Sequence, residues 1–338
     1  IAAAIGAKEE ALYFTACGTE SDNTVLFGAA QAKKRSGKKI IVSAAEHPAI
    51  LEPARKLESL GYEVVRIGVD RLCHPDMKQL EAELTEDTIL ISIMGVNNET
   101  GTIMPIPEIA KIKADYNKAH GTDIWLHSDC VQAFGKIPLD LAANYRGVEL
   151  LSLSAHKIHG PKGVGFLYIN SKAKVQPLIL GGGQQNGMRS GTDNVPGIAG
   201  LAKSAEIVYR HFDEQTAQMR ACKHRLIEGL RELDDVVIHG MPEEEGAPQI
   251  VNASFLNVRS EVLLHTMEDR QIYVSAGSAC SSHKRAGSPT LTAIGASKAE
   301  MESAVRFSFS EFTTLEQIDY TLDTLREVLP MLRRFTRK

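Results

Sequence analysis

The chain has 338 residues, 43% of them apolar and 24% charged, and a net charge of −4. That length exceeds what one core usually holds, so two domains are expected. The charge balance offers no basic surface for nucleic acid or membrane headgroups. No apolar run approaches the roughly 20 residues of a membrane span, and five cysteines without a CxxC pair argue against a disulfide framework or a zinc knuckle.

The opening, Ile1 to Ala7, lacks the basic flank and long apolar centre of a signal peptide. There is no initiator methionine, so the chain reads as a fragment. Ala11 to Thr15 reads as a strand and Glu20 to Lys33 as a helix. Between them, Thr15-Ala16-Cys17-Gly18-Thr19-Glu20-Ser21 sets a helix N-terminus directly after a strand. Free N–H groups and a positive dipole end suit a phosphate there, although on this segment alone an ordinary Thr/Ser cap is the favoured reading. Lys39 to Ser43 is a strand that leads through Glu46-His47-Pro48 into a helix from Ala49 to Leu60. Tyr62 to Ile67 and Ile89 to Met94 are further strands. Asn98 follows in Val96-Asn97-Asn98-Glu99-Thr100-Gly101, a composition that also favours a plain turn. Pro107 to Ala119 is helical, with proline in its first turn.

Ile124 to His127 is a strand running into His127-Ser128-Asp129-Cys130-Val131-Gln132, and Val148 to Ser152 is a strand running into Ser154-Ala155-His156-Lys157. Gly165 to Ile169 completes the strands. Leu180 to Pro196 is a glycine-rich loop carrying Arg189-Ser190-Gly191-Thr192. One long helix, Gly197 to Leu233, is expected to bridge two domains. The remainder has fewer crossovers, an alternating segment Val305 to Ser310 that contains Arg306, and a last helix from Leu315 to Arg333. Strands separated by helices imply an α/β fold with a mainly parallel sheet. Ligands of such sheets gather at the carboxyl ends of the strands.

Lys157 and Asp129 both follow strands. A lysine there can form a Schiff base with an aldehyde cofactor, and an aspartate can hold a pyridine nitrogen protonated. That pairing suits pyridoxal phosphate (PLP). Gln132 can donate to the cofactor's phenolic oxygen, and His47 can stack on the ring and move protons. Arg306 can hold a carboxylate with two parallel bonds. Cys280, in Ser275-Ala276-Gly277-Ser278-Ala279-Cys280-Ser281-Ser282-His283, is a candidate nucleophile, with His283, Lys284 and Arg285 near enough in sequence to favour its thiolate. No metal site is expected.

These segments, in order, resemble the cysteine desulfurases of the class V aminotransferase family, in the subgroup of iron–sulfur cluster and nitrogenase-type assembly. The resemblance runs from Phe14 nearly to the C-terminus. It is carried by EHPAILEP, VNNETGTIMPI, HSDCVQAFGK, SAHKIHGPKGVGFLYI, RSGTDNVPGIAG, SAGSACSS and RFSFSEFTTLEQIDYT. It implies a PLP-dependent transferase fold of the aspartate aminotransferase type, with a PLP-binding large domain over 1–207 and a small α+β C-terminal domain over 208–338. Lys157 would carry PLP, with Asp129 and Gln132 tuning the ring and His47 above it. Gly18, Thr19, Ser154 and His156 would hold the phosphate, with Thr192 supplied by the second subunit of a homodimer. Asn98 would meet cofactor and substrate, and Arg306 the substrate carboxylate. Cys280 would take sulfur from L-cysteine as a persulfide, releasing L-alanine, and pass it to an acceptor such as an iron–sulfur scaffold. A cytoplasmic location is implied, with no direct role for nucleic acid or membrane. A selenocysteine lyase or other β-lyase, and a catalytically weak sulfur-relay scaffold, are the alternatives. The family usually has glycine where Cys17 and Ser310 stand, so Cys17 is expected to crowd the phosphate loop or change its backbone. The family's usual N-terminal segment, at the active-site mouth, lies outside these 338 residues.

Overall fold

The seven apolar runs of the first 169 residues form one sheet. β1 (Leu12–Thr15), β2 (Lys39–Ser43), β3 (Glu63–Ile67), β4 (Thr88–Ser92), β5 (Trp125–Asp129), β6 (Leu150–Ser154) and β7 (Gly165–Ile169) lie in the order β1-β7-β6-β5-β4-β2-β3. The structure is a computed structural model that describes residues 1–276 and 288–336. Cys280, His283, Lys284 and Arg285 therefore lie outside the described residues. The pairs from β3 through β2, β4 and β5 to β6 are parallel. β7 runs antiparallel to both β6 and β1, because the link across 155–164 is too short for a helical crossover. The fold is thus α/β with a mostly parallel sheet.

Every residue of β2, β4, β5, β6 and β7 is buried, as expected of a sheet with helices on both faces. Leu26, Ile40, Val42, Ile50, Leu90 and Leu150 share one apolar cluster. Burying each such side chain contributes about 1.5–3 kcal/mol. The helix Gly18–Ala32 follows β1, and the helix Pro48–Ser59 follows β2 with proline in its first turn.

Contacts divide the chain into two compact units. The first holds 1–68, 75–96 and 104–212, and the second holds 69–74, 97–103 and 213–338. In the second unit, β8 (Val236–His239), β9 (Ile250–Phe255), β10 (Ser275–Ala276) and β11 (Ala304–Ser308) form an antiparallel sheet in the order β10-β11-β9-β8. Leu226, Phe255, Leu263, Phe307, Leu322 and Leu325 pack in its core.

The expected single helix from Gly197 to Leu233 is two helices, Val195–Arg210 and Phe212–Arg231. His211 leaves helical geometry at φ −114°, ψ 22°. The rings of Tyr209 and Phe212 stack across the break, with centroids 5.8 Å apart. No glycine or proline marks this position, so the helical period reads straight through it.

Gly165 shows how tightly the first sheet meets the loop after β1. A Cβ there would lie 2.5 Å from the Leu153 carbonyl oxygen and 3.0 Å from the Cys17 carbonyl carbon. Both neighbours are backbone and cannot rotate aside. Gly165→Ala is expected to destabilise the protein by about 1–3 kcal/mol. A urea denaturation midpoint equal to that of the parent chain would contradict this.

Candidate active site

The carboxyl ends of β2, β5 and β6 deliver three side chains in the first unit. His47 lies four residues beyond β2, Asp129 is the last residue of β5, and Lys157 sits in the 3-10 turn Ala155–Ile158 that follows β6. Their charges act on one another. Lys157 pulls the Asp129 carboxyl down and also opposes protonation of His47. β5 and β6 are neighbours and β2 is separated from β5 by β4 alone, and parallel strands carry such groups at their shared carboxyl ends.

Asp129 is 6% exposed, and its Oδ1 accepts the Val131 N–H at 2.9 Å. Burial pushes its carboxyl up to about 6, against that hydrogen bond and the Lys157 charge. His47 Nδ1 accepts the Ala49 N–H at 3.1 Å, capping its helix. In neutral His47 the proton therefore belongs on Nε2. Burial first, and then Lys157, hold its pKa below the usual histidine range. Gln132 is half-buried, three residues beyond Asp129.

The loop Thr15–Glu20 forms a cradle at the N-terminus of the helix Gly18–Ala32. Cys17 is its N-cap and gives no side-chain cap bond, which leaves the first N–H groups to another acceptor. A Cβ on Gly18 would lie 2.6 Å from Val131 Cγ2 and 3.7 Å from Ser154 Cβ. The absence of a side chain at Gly18 thus lets this helix end approach Val131 beyond β5 and Ser154 at the end of β6. Ser154 Oγ and His156 Nδ1 are hydrogen-bonded at 2.9 Å, while His156, Lys157 and Thr19 are exposed. The alternative that Cys17 would change the loop's backbone is corrected. Its backbone is fully extended at φ −177°, ψ 175°, a conformation open to any residue.

The glycine-rich loop is tied to this cradle in a way the sequence did not reveal. Arg189 Nε donates to Glu20 Oε1 at 2.9 Å and Nη2 donates to Oε2 at 3.3 Å. Glu20 Oε2 also accepts the Ala16 N–H at 2.9 Å. Gln185 exchanges hydrogen bonds with the backbone of Phe14 on β1, its Nε2 donating to the carbonyl at 2.9 Å. Thr192 is exposed.

Asn98 and Arg306 come together in the second unit. Arg306, on β11, donates from Nη1 to the Asn98 carbonyl at 2.9 Å and from Nη2 to Ser275 Oγ at 3.4 Å. Asn97 makes the turn, with Oδ1 accepting the N–H groups of Glu99 and Thr100 at 2.9 Å each. Ser310 braces a turn ahead of the last helix, Oγ accepting the Phe312 N–H at 3.2 Å.

Three buried groups next to the site were missed at the level of sequence. Asp22, Glu46 and His127 are 1%, 2% and 0% exposed. Burial pushes Glu46 up to about 8, against hydrogen bonds from the Met94 N–H at 2.9 Å and the Ser43 hydroxyl at 2.8 Å. Burial pushes His127 down to about 3, so it is neutral. The available signal is that β5 is wholly buried yet ends His-Ser-Asp. Polar side chains in such a strand require partners.

Glu46 links the site to stability. The folded protein keeps this proton across neutral pH, whereas the unfolded chain releases it near the ordinary 4.5. The stability it contributes is complete below about pH 4.5 and is lost as pH rises towards about 8. Glu46→Gln cannot ionise. It is expected to match the parent chain near pH 5 and to exceed it near pH 9 by a few kcal/mol, roughly. Equal denaturation midpoints for the two proteins near pH 9 would contradict this.

The donor set fits PLP on its own chemistry. The helix end offers N–H groups and a glycine for close approach of a phosphate. Asp129 is a buried carboxyl whose ionised form a cationic ring nitrogen would favour. Lys157 stands on the turn after the neighbouring strand.

A buried strand ending in aspartate, a lysine turn on the next strand and a glycine at a helix end define a cofactor-dependent α/β enzyme. The chain belongs to the class V aminotransferase family, whose pattern, described as Aminotransferase class-V, matches residues 1–321. It is 42% identical to the cysteine desulfurase IscS of Dictyoglomus turgidum over 334 residues, which cover 98% of this chain and 82% of that one. It is 40% identical to the cysteine desulfurase IscS of Methanosarcina thermophila, over 98% of this chain and 80% of the relative. A solved structure of a NifS-like protein superposes with a TM-score of 0.90 at 36% identity, covering 98% of this chain and 86% of that chain. Among the described residues, no helix is long and apolar enough to cross a membrane, and no group of three or more His, Cys, Asp or Glu side chains is placed to hold a metal ion.

Proposed function

We propose that this chain is a PLP-dependent cysteine desulfurase, which converts L-cysteine to L-alanine and takes the sulfur onto Cys280 as a persulfide. The observation that carries this reading is that Lys157, Asp129 and His47 all stand at carboxyl ends of the parallel strands and that the Lys157 charge acts on both of the others, in a chain about 40% identical to proteins named for that activity. Bound PLP supplies an electron sink for chemistry at the amino acid's α-carbon. Gly18, Thr19, Ser154 and His156 would hold its phosphate, Asp129 would favour a cationic ring nitrogen, Gln132 would donate to its phenolic oxygen and His47 would be its ring-side partner. Asn98 and Arg306 bind the substrate carboxylate. Lys157 anchors the cofactor and moves the α-proton. His47, with its proton on Nε2, is the second proton carrier.

Cys280 as thiolate attacks the cysteine sulfur. An S–S bond forms, the carbon–sulfur bond breaks, and its electron pair returns to the carbon that becomes the methyl of alanine. The sulfur then passes to an acceptor protein such as an iron–sulfur scaffold. Thr192 acts from a second copy in a homodimer, and the setting is cytoplasmic. The test is borohydride reduction of PLP-treated protein followed by peptide mass spectrometry. A pyridoxyl mass on the Lys157 peptide is expected, and the same mass on a different lysine alone would overturn the reading.

A further inference from the structure

Beneath Asp129 lies a chain of buried polar groups with two fully connected proton arrangements. The Ser152 hydroxyl bonds the Asp22 side chain and also His127 Nε2, at 2.9 Å from the latter. His127 Nδ1 pairs with Ser92 Oγ at 2.8 Å. Asp22 Oδ1 lies 3.7 Å from His127 Nε2 and, like Glu46 Oε2, has no hydrogen-bond partner among the described residues. Ser152 on β6 is paired in register with Asp129 on β5, and the Ser152 carbonyl accepts the Cys130 N–H at 2.9 Å. The chain Asp22–Ser152–His127–Ser92 is therefore fixed to the strand that ends in Asp129.

His127 is neutral, so only one ring nitrogen carries a proton. If Asp22 holds a proton, it donates to Ser152, Ser152 donates to His127 Nε2, and His127 Nδ1–H donates to Ser92. If Asp22 is ionised, every bond reverses and the proton sits on Nε2. Charge decides between these two. Asp22 is opposed in its ionised form by burial, then by Asp129, and further by Glu46 and Cys17, with Ser152 alone favouring the anion. Glu46 is opposed by burial and by Asp129. Asp129 is the member of the three that Lys157 stabilises. Three buried carboxyls cannot all be charged around one cation, and the negative charge settles nearest that cation.

We propose that Asp22 is a positioning residue for Asp129: a carboxyl that keeps its proton, orients Ser152 and His127 in one direction, and leaves the pocket's negative charge on Asp129. This rests on the reading of Asp129 as the group that faces the cofactor ring. The direct test is the tautomer of His127, read by 15N NMR on histidine-labelled protein without cofactor and assigned with His127→Gln. The Nδ1–H form is expected near pH 7. The Nε2–H form would overturn the proposal.

Asp22→Asn retains a donor towards Ser152 and is expected to keep the Nδ1–H tautomer and PLP affinity within about threefold. Asp22→Ala removes that donor and is expected to mix the tautomers and weaken PLP binding about tenfold. A tenfold loss in Asp22→Asn would mean that the charge of Asp22 matters, and would also overturn the proposal. If Asp22→Ala does not fold, the tautomer of the unaltered chain still decides. Failure of that chain to bind PLP would instead sink the functional reading, because the tautomer is measured on cofactor-free protein.

Discussion

Lys157→Ala is expected to abolish alanine formation from L-cysteine and to remove the borohydride-fixed pyridoxyl mass. The buried lysines Lys33, Lys39 and Lys113 are committed to structure. Lys33 is paired with Asp123, Lys39 with Glu83 and Glu63, and Lys113 with Glu149. Lys157 stands at the end of β6, where its charge reaches Asp129, His47 and His156. Removing a positioned proton carrier alone costs about 10²–10⁴-fold, and losing the covalent anchor adds to that. The measurement is alanine quantified by chromatography with saturating PLP. A rate within tenfold of the parent chain would assign the anchoring lysine elsewhere.

Asp129→Asn is expected to lower turnover by roughly 10²–10³-fold, the scale of deleting one charge-stabilising contact from an active site. Asparagine can still accept the Val131 N–H, so the local turn persists, but it cannot favour a cation on the ring nitrogen. The substitution also separates charge from shape through pH. In the cofactor-free protein the Asp129 carboxyl is pushed up to about 6 by burial. Below that pH it is neutral and loses its hold on a cationic ring. Cofactor affinity of the parent chain should therefore fall as pH drops through about 6, relative to an Asp129→Asn protein that lacks this step. Absorbance titrations with PLP at about pH 5 and pH 8 make the comparison. Parallel behaviour of the two proteins would remove Asp129 from the ring nitrogen.

The first sheet is legible in sequence because five of its seven strands are wholly buried and read as largely apolar runs, such as Lys39-Ile40-Ile41-Val42-Ser43. The rule that ligands gather at carboxyl ends of strands then places His47, Asp129 and Lys157 on one edge. The break at His211 is not legible, because neither glycine nor proline produces it. The membership of 97–103 in the second unit is likewise hidden, since contacts such as Arg306 to the Asn98 carbonyl span more than 200 positions in the chain. Asp22 resembles any polar residue near a helix start until burial and Ser152 give it a partner. Glu46 reads as a neighbour of His47 until the Met94 N–H and the Ser43 hydroxyl converge on it. Such polar networks are long-range and leave no period to detect. The family motifs carry the rest of the site, including Cys280, which lies outside the described residues.

The most direct test of the whole account supplies PLP-loaded protein with L-cysteine and a thiol reductant, and measures alanine and sulfide together beside Cys280→Ala. Equal release of the two products, lost in the variant, is the predicted result, because the account routes sulfur through a persulfide on Cys280. Release of both products at an undiminished rate from Cys280→Ala would contradict it and identify a lyase that needs no acceptor cysteine.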